Sequence, residues 1–302
     1  MSSTNEIKGR IESVKNTKKI TNAMYLISST KMQKAKQDLD SNGPYFSMLR
    51  SEIRRILVNA ESKDSRYFYS DKLDNKKKSK RALLVITADK GLAGAYNHNV
   101  IKVAEEEMQK HADLKLFIVG EYGRRHFMKK NIDIVDDFVY TAQNPSFHRA
   151  REISEELLRL FNEEQVRDIK MIYSIHQNYG DAVVNKVRLL PLLKSDFTGK
   201  KAYTKKYEFY PSVDEVLNQI MQSYISSYVF GGLVESYASE QNARMNAMNS
   251  ANNNADELLG ELTVEYNRVR QAAITQEITE VAGGARAQQK KKKKEETPLD
   301  RR

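Results

Sequence analysis

Two long stretches of this chain repeat apolar residues at helical spacing, and the segment between them alternates short apolar runs with polar, helix-like stretches. The first arm carries Ile7, Ile11 and Val14, then Ile20, Met24 and Ile27, then Met32, Ala35 and Leu39. These are three stripes at three-and-four spacing with slips in phase, which predicts a helix whose coiled coil is locally unwound or overwound. Gly43-Pro44 predicts the end of that helix, because proline is the strongest helix breaker. A second helix is expected through Leu49, Ile53, Ile56 and Leu57. The last arm, Val213 to Ala285, has no proline at all. As one helix it would span on the order of 100 Å at ~1.5 Å per residue. Its apolar positions are Val216, Ile220, Tyr224 and Tyr228, a soft point at Gly231-Gly232, then Met245, Met248, Ala255, Leu259, Leu262, Tyr266, Val269 and Ala273. From Ala255 the steps alternate four and three, the spacing of a coiled-coil seam. The arms leave the central segment from opposite chain ends, so the simplest packing is an antiparallel pair, with the longer second arm continuing beyond the first.

The middle has the period of an α/β domain. Ala82–Thr87 and Leu114–Val119 are short apolar runs typical of buried strands. Each precedes a helical stretch, Val100–Lys110 and Arg124–Lys130. Ile132–Val135 is a third candidate strand, Ser146–Glu163 a helix, and Ile169–Ile175 and Ala182–Leu190 two more strands. The turn residues Asn178-Tyr179-Gly180-Asp181 predict that the last two pair antiparallel. Alternation of strand and helix predicts a mainly parallel sheet. Residues 193–210 are polar and loop-like. The organisation expected is residues 1–60 for the first arm and its following helix, 61–210 for the α/β domain, 211–287 for the last arm, and 288–302 for a disordered basic tail.

Composition fits long exposed helices around a modest core: 40% hydrophobic, 30% charged. The absence of cysteine excludes disulfides, thiolate metal sites and thiol nucleophiles. His98, His111, His126, His148 and His176 show no metal-ligand spacing, so no metal or cofactor is expected. No run of ~20 uncharged apolar residues is present, so no membrane span is expected. The net charge of +10 has two foci, the first arm and the tail. Residues 288–302 hold five lysines and two arginines against two glutamates and one aspartate, a local +4. Such a tail suits an acidic partner or a solvated surface. A nucleic-acid-binding coiled-coil protein is the alternative, although the first arm has only Tyr25 as an aromatic and no base-stacking pattern. Thr87–Asn97 follows the first strand, where phosphates can be cradled at a helix N-terminus. It contains neither G-x-G-x-x-G nor P-loop spacing, so a tight strand-to-helix turn is the other reading. Glu277 and Glu280, three apart on a helix, suit a solvated face or a partner contact better than acid–base catalysis. Arg270, Gln271 and Thr275 on a lone helix become contacts only where a partner surrounds them.

Ile274–Ala285 (ITQEITEVAGGA) closely resembles the C-terminal signature of the gamma subunits of F-type ATP synthases. Ile7–Met24 (IKGRIESVKNTKKITNAM) with Lys31-Met32, the turn Thr87–Asn97 (TADKGLAGAYN) and Ala238–Met248 (ASEQNARMNAM) resemble that family's other motifs in order. The resemblance reaches nearly to Ala287. It implies an α/β fold: a long antiparallel coiled coil of N- and C-terminal helices plus a central Rossmann-like α/β domain with a mainly parallel sheet. It implies a non-catalytic rotor shaft that couples ion flow through a membrane c-ring to ATP synthesis or hydrolysis. The implied partners are alpha and beta subunits, an epsilon subunit and the c-ring, with no nucleic acid and no membrane contact except through the complex. The implied subunit-contact residues are Met24 and Lys18 on the first arm, and Arg270, Gln271, Thr275 and Glu277 on the last. The implied location is the cytoplasmic face of a bacterial plasma membrane. Val281–Ala285 would form a smooth bearing, and the lysine run beyond it is an addition to the pattern.

Overall fold

The strand β1 (Lys80–Ile86) lies between β2 (Leu114–Val119) and β3 (Val166–His176), both parallel to it. β4 (Ala182–Leu190) pairs antiparallel with β3, giving the order β2-β1-β3-β4. The computed structural model describes residues 4–59, 65–69, 80–111, 113–176, 182–197 and 208–295. β1 reads as one apolar run because both of its faces are covered. Ala82, Leu84 and Ile86 enter one core, and Leu83 and Val85 the other.

Two helices cover the second of these faces. α2 (Tyr96–Lys110) supplies Val100, Ile101 and Ala104, and α3 (Glu121–Lys129) supplies Phe127, against Leu83, Val85, Leu116, Ile118 and Ile172. Glu107 of α2 is buried against β3 and β4, held by Lys170 and by Lys186 at 2.7 Å. The first face is covered by α4 (Phe147–Asn162) through Ile153, Leu157 and Leu160. Ser146 caps α4, its hydroxyl accepting from the Arg149 amide at 3.3 Å. On the same face lie Leu49, Ile53 and Ile56 of α1 (Thr4–Asn59), and Leu217, Met221, Ile225, Val229 and Leu233 of α5 (Val213–Glu295). Full burial of each such side chain stabilises by about 1.5–3 kcal/mol.

The sequence expectations hold for four strands and for the helices between them, and fail at four places. α1 does not end at Gly43-Pro44 but continues to Asn59. Pro44 removes one helical hydrogen bond, at a cost of about 3 kcal/mol. Contacts on either side of it offset that cost. The Asn42 amide donates to the Ser227 carbonyl at 3.2 Å, and the Ser227 hydroxyl donates to Asn42 at 2.9 Å. Phe46 stacks on Tyr224 with ring centroids 5.1 Å apart and meets Tyr228 edge-on. Second, Gly231-Gly232 is no soft point, since α5 runs through it unbroken. A Cβ on Gly232 would lie 2.7 Å from the Met171 methyl and 3.0 Å from its sulfur, so glycine there lets the helix backbone touch the sheet. Third, Ile132–Val135 is not a strand; it makes one bridge, Ile134 to Leu116, and leaves the sheet edge at β2. Fourth, α5 remains helical past 288 to Glu295. The turn 178–181 and residues 296–302 lie outside the described residues.

The chain divides into two compact units. One comprises Tyr25–Ala247; the other comprises Met1–Met24 with Met248–Arg302. Within the larger unit α1 and α5 run antiparallel, with Ala35 buried against Val234, Tyr237 and Ala238. Within the smaller unit they also pair antiparallel, through Lys18 with Asp256 and Thr21 with Asn252.

Two outcomes follow for folding. Gly120 stands at φ 97°, and a Cβ there would come 2.3 Å from the Thr87 carbonyl oxygen, a backbone atom that cannot swing aside. Gly120→Ala is expected to cost about 3 kcal/mol, read as a lowered urea midpoint. Glu107 gives a pH dependence. Burial pushes its carboxyl up, but hydrogen bonds from Lys170 and Lys186 outweigh that and hold it at about 2. The stability it contributes is complete above the ordinary value of 4.5 and is lost as the pH falls toward about 2. Glu107→Gln should flatten the urea midpoint across that window; an unchanged slope would show that Glu107 is not the source.

Candidate functional site on the last helix

Four residues of α5 spaced four apart, Gly232, Ser236, Glu240 and Arg244, form one stripe along a face of the helix. The stripe faces the end of the sheet where β1 turns into α2. Gly232 touches Met171. The Ser236 hydroxyl accepts from the Ser174 amide at 3.2 Å, and Tyr96 is buried beside them. Arg244 donates to the Glu240 carboxylate at 2.7 Å and to the Gly91 carbonyl at 3.1 Å. Gln143 donates to Glu240 at 3.4 Å. Glu240 is 1% exposed and Arg244 9%. Burial pushes the Glu240 carboxyl up, and Arg244 pulls it back only in part.

The turn that Arg244 grips is itself tied down. Asp89 accepts from the backbone amides of Glu121 at 3.0 Å, Ala142 at 3.1 Å and Gln143 at 3.1 Å, and from the Thr141 hydroxyl. Asn97 accepts from the Ala88 amide at 2.9 Å. Ala243 packs on Ala88, Ala93 and Tyr96. Asp89 thus caps the first amide of α3 and ties the turn to residues 141–143. Thr87–Asn97 is a structural bracket between β1, α3 and α5. Among the described residues no group of three acidic, histidine or cysteine side chains is arranged to hold a metal ion.

The residues expected to contact other subunits fall at separate places. Lys18 is engaged with Asp256 of its own chain. Met24 is half-buried on α1. Arg270, Gln271, Thr275 and Glu277 are all exposed on α5, within about 160° of azimuth at ~100° per residue. The Thr275 hydroxyl donates back to the Gln271 carbonyl at 2.9 Å. Ile274, Ile278 and Val281 are exposed at the same helical spacing, at 46%, 63% and 74%. Sequence reasoning missed the buried stripe on α5. Its signal was there: a glutamate and an arginine four apart in a run of serines and alanines.

The architecture, a short, mainly parallel sheet packed on one long helix that pairs antiparallel with the first, can be set beside known proteins. A family profile described as ATP synthase matches residues 3–288. A protein named ATP synthase gamma chain from Acetivibrio thermocellus is 41% identical over 295 residues, covering 95% of this chain and 99% of that one. The chain belongs to the ATP synthase gamma chain family. A further member, from Acetobacterium woodii and named as sodium ion specific, is 35% identical over 299 residues, covering 93% of this chain and 97% of its own length. The fold is shared with a chain in the mitochondrial ATP synthase of Euglena gracilis, with a TM-score of 0.63 at 16% identity, covering 99% of this chain and 98% of that one. A chain of the central stalk and c-ring structure from Tetrahymena thermophila gives a TM-score of 0.56 at 23% identity, covering 77% and 99%. Within this gamma chain family fold, the α5 stripe joins helix to sheet.

The joint is testable. Arg244→Met leaves Glu240 buried without its cation, and Glu240→Gln does the reverse. Each should cost about 3–5 kcal/mol by urea denaturation, while the double variant recovers part of the loss. Strict additivity would mean that the pair does not act as a unit.

Proposed function

We propose that the chain is the central rotor shaft of an F-type ATP synthase, coupling ion flow through a membrane c-ring to ATP synthesis or hydrolysis in a ring of alpha and beta subunits. The observation that carries this reading is the near end-to-end match to gamma chains, 41% identical over 95% of the chain. In that role it is a stalk subunit and makes or breaks no bond itself. It belongs to the membrane complex as a peripheral subunit; no helix among the described residues is long and apolar enough to cross a membrane. The proposed location is the cytoplasmic face of a bacterial plasma membrane, with an epsilon subunit beside the α/β domain.

The physics supports the assignment. Torque applied to the α/β domain must reach α5, and a slide of the helix would break the bond of the buried Arg244 to Gly91 and that of Gln143 to the buried Glu240. The exposed stripe Ile274, Ile278 and Val281 is apolar surface that a surrounding ring would cover. Arg270, Gln271, Thr275 and Glu277 would then make polar contacts with that ring. Lys18 and Met24 would lie where the paired helices pass its moving loops.

Reconstitution with matching alpha and beta subunits tests this. The expected product is a stable complex with ATPase activity, and failure of the chain to co-elute with the ring would overturn the assignment. Arg270→Ala is expected to lower turnover about tenfold and Thr275→Ala about two- to fivefold, as loss of a charged and of a neutral hydrogen bond. Unchanged turnover in both would remove these residues from the contact set.

A further inference from the structure

Glycine inside a helix destabilises it relative to alanine, so a mid-helix glycine needs a reason. Packing supplies one at Gly232, where a Cβ would strike Met171. It supplies none at Gly231 or at Gly43 of α1. A Cβ on Gly231 would lie 3.7 Å from the Asn42 side-chain nitrogen, an ordinary contact, and one on Gly43 would meet no heavy atom within 4 Å. Both glycines border one cleft of about 320 Å³ between α1, β3 and α5, within the unit Tyr25–Ala247. That volume lies at the lower end of the range for small-molecule sites. Side chains at 231 and 43 would narrow it.

The charge on the cleft has one sign. Among the described residues its charged side chains are Glu235 and Asp40, with no lysine or arginine. Helical side chains lean toward the N-terminus, over the residues three and four earlier. For Glu235 those are Gly232 and Gly231, so no neighbouring side chain stands between its carboxylate and the cleft. Glu235 is half-buried and makes no hydrogen bond or ion pair among the described residues. Burial pushes its carboxyl up, and no cation offsets the effect. Burial, and next the charge of Glu235, push up the hydroxyls of Tyr173 and Tyr228, so both rings lie close to that carboxylate. Phe46 supplies a third ring, and Asp40 is exposed. A carboxylate partly withdrawn from water favours a cation beside it. Aromatic faces attract an organic ammonium, whereas a calcium or magnesium ion requires about six oxygen ligands.

We propose that this cleft binds a small arylalkyl ammonium ion, its charge held by Glu235 and its ring lying against Tyr173 and Tyr228. A molecule seated there touches α1, the sheet and α5 together, so its binding fastens the two helices to each other beside Gly232. The site goes beyond the shaft reading and does not rest on it.

The test titrates the full chain with phenethylamine, a cation at neutral pH, and with phenethyl alcohol, its uncharged counterpart. Binding is read by ligand-observed NMR and by the rise in urea midpoint that a bound ligand produces. The amine is expected to saturate one site and to bind at least tenfold more tightly than the alcohol. Glu235→Gln keeps the shape of the side chain and should weaken the amine about tenfold while leaving the alcohol unchanged, as loss of a charged hydrogen bond. Gly231→Leu fills the cleft and should abolish binding of both. Asp40→Asn should weaken the amine only about twofold, because that carboxylate is exposed. Should Gly231→Leu unfold the chain, Glu235→Gln still discriminates. Equal affinity for amine and alcohol would mean an apolar cleft and overturn the cation site. Undiminished binding to Glu235→Gln, or to a folded Gly231→Leu, would place the amine elsewhere and overturn it too, as would the absence of saturation. Every readout is taken on the chain itself, so failure here leaves co-elution with alpha and beta subunits as a separate test of the shaft reading.

Discussion

The close approach of α5 to the sheet at Gly232 is the contact on which the larger unit depends. With no Cβ at that position the helix backbone rests on Met171, and the next three turns are brought into register with the end of β1. Ser236 then reaches the Ser174 amide, Glu240 meets Gln143, and Arg244 reaches the Gly91 carbonyl. A side chain at 232 would press on the buried Met171, and the bonds further along the stripe depend on the buried Ser236, Glu240 and Arg244. Buried polar groups tolerate little displacement, because the partner lost is not replaced by water. Gly232 and the Glu240–Arg244 pair thus lie on one face of α5, the face turned to the sheet. The joint is held from both sides, since Asp89 fixes the turn that Arg244 grips.

Much of this fold was legible in the sequence because its determinants are local. The run Leu114–Val119 has one apolar face against each helical layer, and its strand bounds follow from that alone. Ser146 announces the start of α4 by the chemistry of its cap. The expectations failed where tertiary contacts override local preference. Pro44 argues for a break, but Phe46, Leu49, Ile53 and Ile56 lie beyond it and are worth more in place than one hydrogen bond. Gly231-Gly232 looks like a weak point until Met171, more than fifty residues away, is placed beneath it. The buried stripe on α5 was missed for a related reason. Hydrophobic periodicity cannot register a face that is buried but polar, and Ser236, Glu240 and Arg244 are of that kind.

The two long helices change character along their length. Between Leu217 and Val234 α5 is core, packed on the sheet and on α1. Beyond Leu262 its side chains are mostly exposed, and from Arg270 to Lys291 all of them are. Tertiary packing gives the first part most of its helical stability, whereas the second has only propensity, spaced side-chain pairs and the cooperativity of an existing helix. Gln276 with Glu280 is one such pair, and the hydroxyls of Thr275 and Thr279 bond back to carbonyls four residues earlier. Local opening should therefore cost far less there than in the core. A segment built in this way is rigid only when something surrounds it, which suits a part whose work is done inside a partner.

Within that exposed segment the polar and apolar side chains share one side of the helix. Arg270, Gln271, Thr275 and Glu277 occupy less than half of the helix circumference, so any interaction they make with a fixed surface must vary with rotational angle. The apolar stripe of Ile274, Ile278 and Val281 is confined to the same side. Contacts confined to one side hold a turning helix well at some angles and poorly at others, and so make successive positions unequal.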